Sequence, residues 1–395
     1  MYYDYVNVPT PCFVVEEELL KQNLEILKQV IEKTGCHILL AQKCFSMYHT
    51  YPLLSRYLSG TTASGLYEAR LGRDYFGKET HVYSAAYREE EMDEIFAICD
   101  HIVFNSFSQW ERYKEKAMGS GKKCGLRINP ECSTQEGHAI YDPCAPYSRM
   151  GIVNADFDRD RLEGISGLHF HTLCEQNADA LYETLQVVKK NFGDVLSEME
   201  WINFGGGHHI TRKDYDIDCL VECIRDMQQQ YQLEVYLEPG EAVALNAGFM
   251  VASVLDLVHN GMDIAILDTS AACHMPDVLE MPYTPEIHQV ISGSGENAVF
   301  STAKVIHKQD ETVEKQKYCY RLGGPTCLSG DVIGDYGFEK PLKVGDRILF
   351  KDMAIYSMVK TNTFNGMRLP SIAYKEKNGI KLIKQFGYED FKMRL

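Results

Sequence analysis

The amino-acid sequence predicts an α/β protein: a (β/α)8 TIM-like barrel followed by a second, all-β C-terminal domain. Two observations support this prediction. Through roughly the first 250 residues, short apolar or β-branched segments alternate with segments of helical period. After that point the long helical segments stop, and short strand-like segments follow one another. Eight repeated βα units close naturally into a barrel, which takes about 250 residues.

The barrel prediction rests on eight candidate strands. They lie at 38–43, 60–65, 79–85, 101–106, 123–129, 167–172, 201–207 and 234–240. The segment 60–65 has the weakest strand character, because Gly and Thr dominate it. Helical period marks the segments between strands, for example 16–33, 86–98 and 178–191. We therefore predict a barrel domain over residues 15–250.

The C-terminal part of the chain predicts a β-sandwich or β-barrel domain over residues 251–395. Its strand-like segments are separated by Gly, Asp and Pro turns and lie at 299–308, 316–322, 346–356, 371–376 and 380–385. The segment 11–15 near the N-terminus has the same character and precedes the first helix. We expect it to join this second domain, together with the rest of residues 1–14.

Composition excludes several classes of partner. The 395 residues include 40 basic and 56 acidic side chains, for a net charge of −16, which argues against nucleic acid and against an anionic membrane surface. The 13 cysteines include no CxxC pair, a pattern that suits a reducing compartment. We find no membrane-spanning segment and no secretory leader. We expect a cytoplasmic protein that acts on a small molecule.

Chemically distinct residues fall at or just after the ends of five predicted strands. They are Lys43, Arg127, His171, the run Gly205–Gly207, and Glu238. Barrel enzymes carry their active sites at this C-terminal rim of the strands. Each residue alone also fits a structural role, such as a strand-end lysine or an ion-paired arginine. The prediction of an active site therefore depends on the set.

Three of these features suggest a particular chemistry. A lysine against an apolar wall is desolvated, which favours the neutral amine that can attack an aldehyde. A glycine run after a late barrel strand lets backbone N–H groups converge on a phosphate. Glu238, set opposite an aromatic nitrogen, would keep that nitrogen protonated, as an electron-sink cofactor requires. Of His169 and His171 we expect only one to face the barrel interior.

These motifs resemble those of the fold-type III pyridoxal-phosphate decarboxylases, the alanine-racemase-like group that includes ornithine and diaminopimelate decarboxylases. Within that group, the resemblance is strongest to the branch that acts on carboxylated polyamines. It runs over nearly the whole chain, through AQKCFS at 41–46, GLRINPE at 125–131, GLHFHTLCE at 167–175, NFGGGHH at 203–209, EPGEA at 238–242 and GGPTCLSGD at 323–331.

The resemblance implies pyridoxal 5'-phosphate as the cofactor and assigns roles around it. Lys43 forms the Schiff base, His171 stacks on the pyridine ring, and Glu238 pairs with its nitrogen. The other cofactor-binding residues that the resemblance implies are Arg127, Gly205, Gly206, Gly207 and Tyr356. It also implies a homodimer with shared active sites, in which Cys327 comes from the second subunit and either Cys327 or Lys43 protonates the α-carbon.

Departures from the wider group concern the substrate. Ornithine and diaminopimelate decarboxylases have Arg after EPG, where this chain has Glu241, and Leu328 replaces the acidic residue after the family cysteine. The resemblance implies that Glu241 and Asp277 bind the substrate. Two carboxylates would match the ammonium groups of a carboxylated polyamine through charge-assisted hydrogen bonds. Asp277 also fits an ordinary helix-start aspartate.

Three alternatives remain open. One is a decarboxylase of diaminopimelate, ornithine or arginine on the same fold, although Glu241 and Leu328 count against it. Another is a metal-dependent barrel hydrolase with histidine ligands, which would leave Lys43 and the glycine run unexplained; its candidate ligands are His169, His171, His208 and His209. The third is a catalytically silent regulatory homologue. We expect no metal in the decarboxylase.

Overall fold

The structure is a computed structural model, which describes residues 2–135, 139–306 and 317–395. It divides into two compact units. One comprises residues 22–243, and the other comprises the chain up to Lys21 together with Ala244–Leu395. Within the described ranges, no helix is long and apolar enough to cross a membrane. The domain boundaries at 15–250 and 251–395 stay a prediction.

The first unit contains a closed barrel of eight parallel strands. Each strand pairs with the next along the chain, and the eighth pairs with the first, where Tyr236 lies opposite His37. The strands are His37–Ala41, Gly60–Ala63, Glu79–Tyr83, His101–Phe104, Lys123–Asn129, Gly167–His169, Trp201–Asn203 and Glu234–Leu237. A short strand, Ile152–Val153, extends the end of the fifth. The predicted fold class is confirmed.

All eight predicted strands are present, but most end earlier than the sequence suggested. The predicted strand 201–207 stops at Asn203, so the glycine run lies beyond it. Lys43 and Glu238 likewise follow their strands. The weakest segment forms the strand Gly60–Ala63, and its glycine is required, because a Cβ on Gly60 would lie 2.1 Å from the carbonyl oxygen of Glu79. The functional residues therefore lie in turns, where the backbone leaves the sheet.

Helices connect most of the barrel strands, whereas in the described residues 3-10 turns and a short strand lie between the fifth and sixth strands. The α-helices are Glu17–Thr34, Tyr51–Leu54, Leu66–Tyr75, Glu89–Ile98, Phe107–Ser120, Ala178–Leu196, Ile217–Tyr231 and Glu241–Ala244. Short 3-10 turns lie at Tyr48–Thr50, Ala139–Tyr141, Asn154–Asp156 and Arg159–Arg161. Several of the long helices begin with polar caps, such as Ser106, whose side chain accepts from the N–H of Gln109. The helices predicted over 16–33, 86–98 and 178–191 are confirmed.

Aromatic and aliphatic side chains fill the middle of the barrel. Leu39, Val103, Trp201 and Tyr236 form a buried cluster there. Trp201 fits because its neighbouring strands carry glycines: a Cβ on Gly167 would lie 2.1 Å from the indole ring. Every second residue of each strand points into the barrel, so one bulky side chain needs small partners at the same level.

The second unit is built on a mixed sheet of twelve strands. They are Tyr2–Tyr3, Cys12–Glu16, Gly248–His259, Asp263–Leu267, Ile287–Ser292, Val299–Ser301, Ala303–Val305, Tyr318–Gly323, Val332–Phe338, Arg347–Phe350, Ser371–Glu376 and Gly379–Lys384. Short α-helices lie at Ala271–His274, Asp277–Glu280 and Tyr388–Lys392, with 3-10 turns at Gly295–Asn297 and Phe364–Gly366.

The N-terminal strand joins this sheet as expected. Cys12–Glu16 pairs antiparallel with Gly248–His259 and parallel with Ser371–Glu376. The sequence prediction missed Gly248–His259, a central strand of twelve residues, because the barrel was expected to extend to residue 250. It also predicted one strand over 299–308, where the structure has two, Val299–Ser301 and Ala303–Val305. Residues 307–308 of that predicted strand fall outside the described ranges.

The packing around Trp201 gives a first prediction. Gly167→Ala should destabilise the protein by about 2–3 kcal/mol, because the added methyl group overlaps a fully buried ring that has no room to move. Gly119→Ala is the control: Gly119 is exposed near the end of the helix Phe107–Ser120, and no atom lies within 4 Å of the position that its new methyl group would take. Helix propensity predicts that this second change stabilises by up to about 1 kcal/mol. Urea unfolding measures both, and equal stabilities would contradict the packing account.

Candidate active site

Four of the site residues predicted in the barrel line one cavity at the C-terminal rim of the strands. Lys43, Arg127, His171 and Glu238 all line it. The rest of its lining is Ala41, Thr62, Ala63, Ser64, Tyr83, Ser84, Ala85, Arg149, Met150 and His169. Residues far apart in the sequence therefore meet at one place, as the barrel topology requires.

Lys43 has the environment of a nucleophilic amine. Its side chain is exposed to the cavity, but protein surrounds it, and this desolvation lowers its pKa. The positive charge of Arg127 lowers the pKa further, and the negative charge of Glu238 partly opposes both effects. The neutral form of the Lys43 amine, which is the nucleophilic form, therefore costs less free energy than in a solvated lysine.

Glu238 is a buried carboxylate held by two neighbouring strands. Its Oε1 accepts a hydrogen bond of 2.8 Å from the side-chain amide of Asn203, and its Oε2 lies 3.2 Å from Nε2 of His169. Burial alone would raise the pKa of Glu238, but the interactions with His169, together with smaller ones, lower it to about 2. The group therefore carries a full negative charge at the rim.

The glycine run forms a tight turn beside His171. A Cβ at Gly205, Gly206 or Gly207 would lie within 2.0–2.6 Å of a backbone carbonyl oxygen, and Gly205 and Gly207 also have positive φ. The N–H of Gly206 donates to Nδ1 of His171 at 3.1 Å, and the N–H of Gly205 donates to the side chain of Asn203 at 2.8 Å. The glycines are thus needed for close backbone approach, and two of the three N–H groups already have partners within the turn.

The expectation that only one of His169 and His171 faces the barrel interior is wrong. Both line the cavity, whereas Leu168 and Phe170, which alternate with them, are fully buried on the other side. Residues two apart along a strand point to the same face, so the histidines belong together. His169 binds Glu238, and burial, followed by the charges of Lys43 and Arg127, lowers the pKa of His171.

Tyr83 is a site residue that the sequence reasoning missed. Its ring stacks on His169 with 5.4 Å between ring centres, and the guanidinium of Arg127 lies 4.5 Å from its centre. Arg127 also donates to the carbonyl oxygen of His171, while its Nε is buried without a hydrogen-bond partner in the described residues. Tyr83 could have been predicted from the third strand, because Glu79, His81 and Tyr83 alternate along it and therefore point into the barrel together.

Glu241 forms a buried pair with His209. Its Oε2 lies 3.0 Å from Nε2 of His209, and about a tenth of each side chain is exposed. Burial alone would lower the pKa of His209, but the hydrogen bond and the charge of Glu241 outweigh it and raise that pKa. The negative charge that sequence reasoning assigned to the substrate therefore has a partner within the barrel unit.

Three predicted site residues belong to the second unit, and their assignment to the site stays a prediction. Cys327 is exposed in the loop after the strand Tyr318–Gly323. Tyr356 has a left-handed backbone, with φ of 49°. Asp277 begins a short helix, as the alternative interpretation of this residue expected, and its carboxylate binds the ammonium group of Lys360.

The rim defines a class: a barrel enzyme with a desolvated lysine and a charged glutamate in one cavity, and a glycine turn beside the cavity residue His171. Residues 12–354 match the family described as "Pyridoxal-dependent decarboxylase, C-terminal sheet domain". The chain belongs to the pyridoxal-dependent decarboxylases, so it is an enzyme that uses pyridoxal phosphate. The resemblance seen in the motifs is confirmed, and the metal-dependent hydrolase is excluded as the class of this chain.

Several relatives cover almost the whole chain. It is 44% identical over 392 residues to carboxynorspermidine/carboxyspermidine decarboxylase from Campylobacter jejuni, covering 99% of both chains. It is 42% identical to carboxyaminopropylagmatine decarboxylase from Synechocystis, covering 98% of this chain and 96% of the relative. The crystal structure of the Campylobacter jejuni carboxynorspermidine decarboxylase complexed with norspermidine superposes with a TM-score of 0.89 at 41% identity, over 98% and 100% of the two chains.

The barrel residues fit the cofactor. A desolvated amine at Lys43, a carboxylate at Glu238 and a turn too tight for any Cβ meet the needs of its aldehyde, its ring nitrogen and its phosphate. The unpartnered Nε of Arg127 leaves one further donor in the cavity lining. The individual roles of these residues remain assignments by chemistry.

The charge of Glu238 gives a second prediction. Glu238→Gln keeps the size of the side chain but removes the anion, so kcat should fall by about 100-fold or more while the cofactor stays bound to Lys43. Visible absorbance of the purified protein and a CO2-release assay measure the two properties. Glu234→Gln, the same change at the other end of the strand, is the control and should keep full activity. Full activity in Glu238→Gln would show that the negative charge of Glu238 is not needed for catalysis.

The raised pKa of His209 gives a third prediction. Stabilisation by the His209–Glu241 pair should be complete below the ordinary histidine pKa of about 6.5 and should be lost as pH rises through the higher folded-state value. Between about pH 6 and pH 9, the stability difference between wild type and His209→Gln should therefore shrink.

The neighbouring histidine provides the control for this measurement. Burial lowers the pKa of His208 in the folded protein to about 4, below the ordinary value of about 6.5 that it has in the unfolded chain. Only the unfolded chain therefore takes up a proton as the pH falls from about 9 to about 6, and the stability of wild type relative to His208→Gln should rise with pH, opposite in sign to the change expected for His209→Gln. A difference for His209→Gln that is independent of pH, or that rises with pH as for His208→Gln, would show that the pair is not ionic.

Proposed function

We propose that this enzyme decarboxylates carboxynorspermidine, carboxyspermidine or both, releasing norspermidine and spermidine in polyamine biosynthesis. The observation that carries the proposal is Glu241, a buried carboxylate three residues after Glu238 on the active-site rim. The likeness to the Campylobacter jejuni enzyme, at 44% identity over the full chain, supports the same substrates.

The substrates and the protein are complementary in charge. A carboxylated polyamine presents an α-amino acid at one end, a secondary ammonium in the middle and an ammonium at the far end. Glu241 is proposed to accept the hydrogen bonds of one of these cations, and Asp277 those of the other. Since His209 and Lys360 already bind these carboxylates, the substrate must share or displace them.

Each of the predicted site residues has a different proposed role in the reaction. Pyridoxal phosphate, when bound, supplies the electron sink that makes loss of CO2 from the α-carbon possible. Lys43 would hold the cofactor through its amine until the amine of the substrate takes its place. Glu238 would keep the ring nitrogen protonated, and His171 would stack on the ring. Either Cys327 or Lys43 then delivers the proton to the α-carbon.

Carboxyaminopropylagmatine is a second candidate substrate, because a decarboxylase named for it is almost as similar to this chain as the first relative. The carboxyaminopropylagmatine decarboxylase of Synechocystis is 42% identical over 98% of this chain, almost the same as the first relative. Carboxyaminopropylagmatine ends in a guanidinium rather than an ammonium group. A planar guanidinium needs a carboxylate in bidentate geometry, whereas an ammonium does not, so the distal contact distinguishes the two functions.

We also propose a cytoplasmic homodimer with active sites shared between the subunits. None of the 13 cysteines, all of which lie in the described residues, forms a disulfide bond, which suits a reducing compartment. Cys327 and Leu328 are exposed on their loop, as residues that reach into a neighbouring subunit must be in one chain alone. Light scattering of the purified enzyme tests the dimer directly.

The substrate assignment gives a fourth prediction. Glu241→Gln should raise KM for carboxynorspermidine by about 10–100-fold, the value of one charge-assisted hydrogen bond, while kcat and the cofactor absorbance change little. Glu234→Gln serves as the isosteric control and should keep the wild-type KM. An unchanged KM in Glu241→Gln would remove this residue from the substrate site.

A substrate panel tests the function itself. CO2 release should be compared for carboxynorspermidine, carboxyspermidine, carboxyaminopropylagmatine, diaminopimelate and ornithine. We expect the first two to have the highest kcat/KM and to differ by no more than about 200-fold, because they differ by one methylene. A higher value for carboxyaminopropylagmatine favours the second function, and one for diaminopimelate or ornithine contradicts both.

A further inference from the structure

A cluster of metal-binding side chains lies at the opposite end of the barrel from the cofactor cavity. Glu79 and His81 are on the third strand, and His101 begins the fourth, directly opposite His81 in the strand register. The two imidazole rings stack with 4.0 Å between their centres, and Nε2 of His81 lies 3.0 Å from Oε2 of Glu79. One ligand atom from each residue lies within 4.8 Å of the other two.

Protein contacts alone do not satisfy this cluster. His101 is 3% exposed, and its Nδ1 is buried without a hydrogen-bond partner in the described residues. A buried imidazole nitrogen without a partner is the kind of group through which histidine binds metals.

The surrounding charges favour a cation. Lys123 lies at the same end of the barrel, but its ammonium is 3.1 Å from the carboxylate of Glu234 and is neutralised there. Glu79 adds a second carboxylate, and Asp100, which accepts from the N–H of Thr80, adds a third. His37 stacks on Tyr236 and completes the set of titratable groups that face the cluster. Three carboxylates and one ammonium group leave this end of the barrel with a net negative charge, which favours a divalent cation.

We propose that Glu79, His81 and His101 bind a divalent transition metal of the zinc class, with a water molecule as fourth ligand. Two imidazoles and one carboxylate select zinc, cobalt or nickel over magnesium or calcium. Tetrahedral bonds of about 2.0–2.2 Å need ligand atoms about 3.3 Å apart. Ligand atoms that are now up to 4.8 Å apart must therefore close by up to about 1.5 Å, and the stacked imidazole rings must tilt so that their lone pairs converge.

Glu79 provides both the movement and the entry path. Its side chain is 38% exposed, whereas that of His81 is 2% exposed, so the carboxylate can rotate onto an ion that arrives from solvent. The ion replaces the proton now shared between His81 and Glu79. Because the cluster joins two neighbouring strands at the N-terminal end of the barrel, the ion has a structural role, as residues of that end do in barrel enzymes.

Cobalt titration of the holoenzyme tests the site. We expect one equivalent of Co²⁺ to give visible d–d bands of a four- or five-coordinate ion, displaced by Zn²⁺, and Zn²⁺ to raise the Tm. Glu79→Gln should weaken Co²⁺ binding at least tenfold, and Glu115→Gln, the same change at an exposed acid on the helix Phe107–Ser120, should leave it within threefold. His101→Gln should abolish the bands if it folds, which its circular dichroism checks.

Specific outcomes would overturn the proposal. They are the absence of stoichiometric binding, equal affinity in wild type and Glu79→Gln, or strong near-ultraviolet charge-transfer bands, which report cysteine ligands instead. Decarboxylase activity of Glu79→Gln should equal that of wild type, since the cluster is remote from the cavity. Glu79 is exposed enough for the variant to fold, so the test does not depend on the buried histidines.

Discussion

The charged carboxylate of Glu238 is the interaction on which the active site depends. Its side chain joins the sixth and seventh strands through His169 and Asn203. Its backbone N–H donates to the carbonyl oxygen of Gly205 at 2.8 Å, and its own carbonyl oxygen leaves no space for a side chain at Gly206. One residue therefore supplies the anion proposed to face the cofactor nitrogen and shapes the turn proposed for the phosphate.

The rim could be predicted from the sequence, but the contacts within it could not. Strand ends are visible as apolar runs that stop, and this was enough to select Lys43, Arg127 and Glu238. Side-chain pairs are not visible in this way: His209 and Glu241 are 32 residues apart and meet only because their two loops follow adjacent strands. His169 was misjudged for a simpler reason, since the period of two was applied to the wrong pair of residues.

The second unit was harder to predict because its strands lack helices between them. In the barrel, each βα unit provides a boundary, whereas Gly248–His259 continues directly from the last short helix of the barrel region. Its apolar run therefore looked like an extension of the barrel. The strand Cys12–Glu16, by contrast, was recognisable because the long helix that follows it begins with Glu17 and Glu18.

The packing around Trp201 also determines how the enzyme can change. Leu39, Val103, Trp201 and Tyr236 fill the middle of the barrel with buried side chains. A longer substrate therefore cannot be accommodated by deepening the cavity towards the N-terminal ends of the strands. New specificities within the family must instead arise in the loops that follow the strands, as Glu241 follows the strand Glu234–Leu237, and the residues proposed for the chemistry can stay the same.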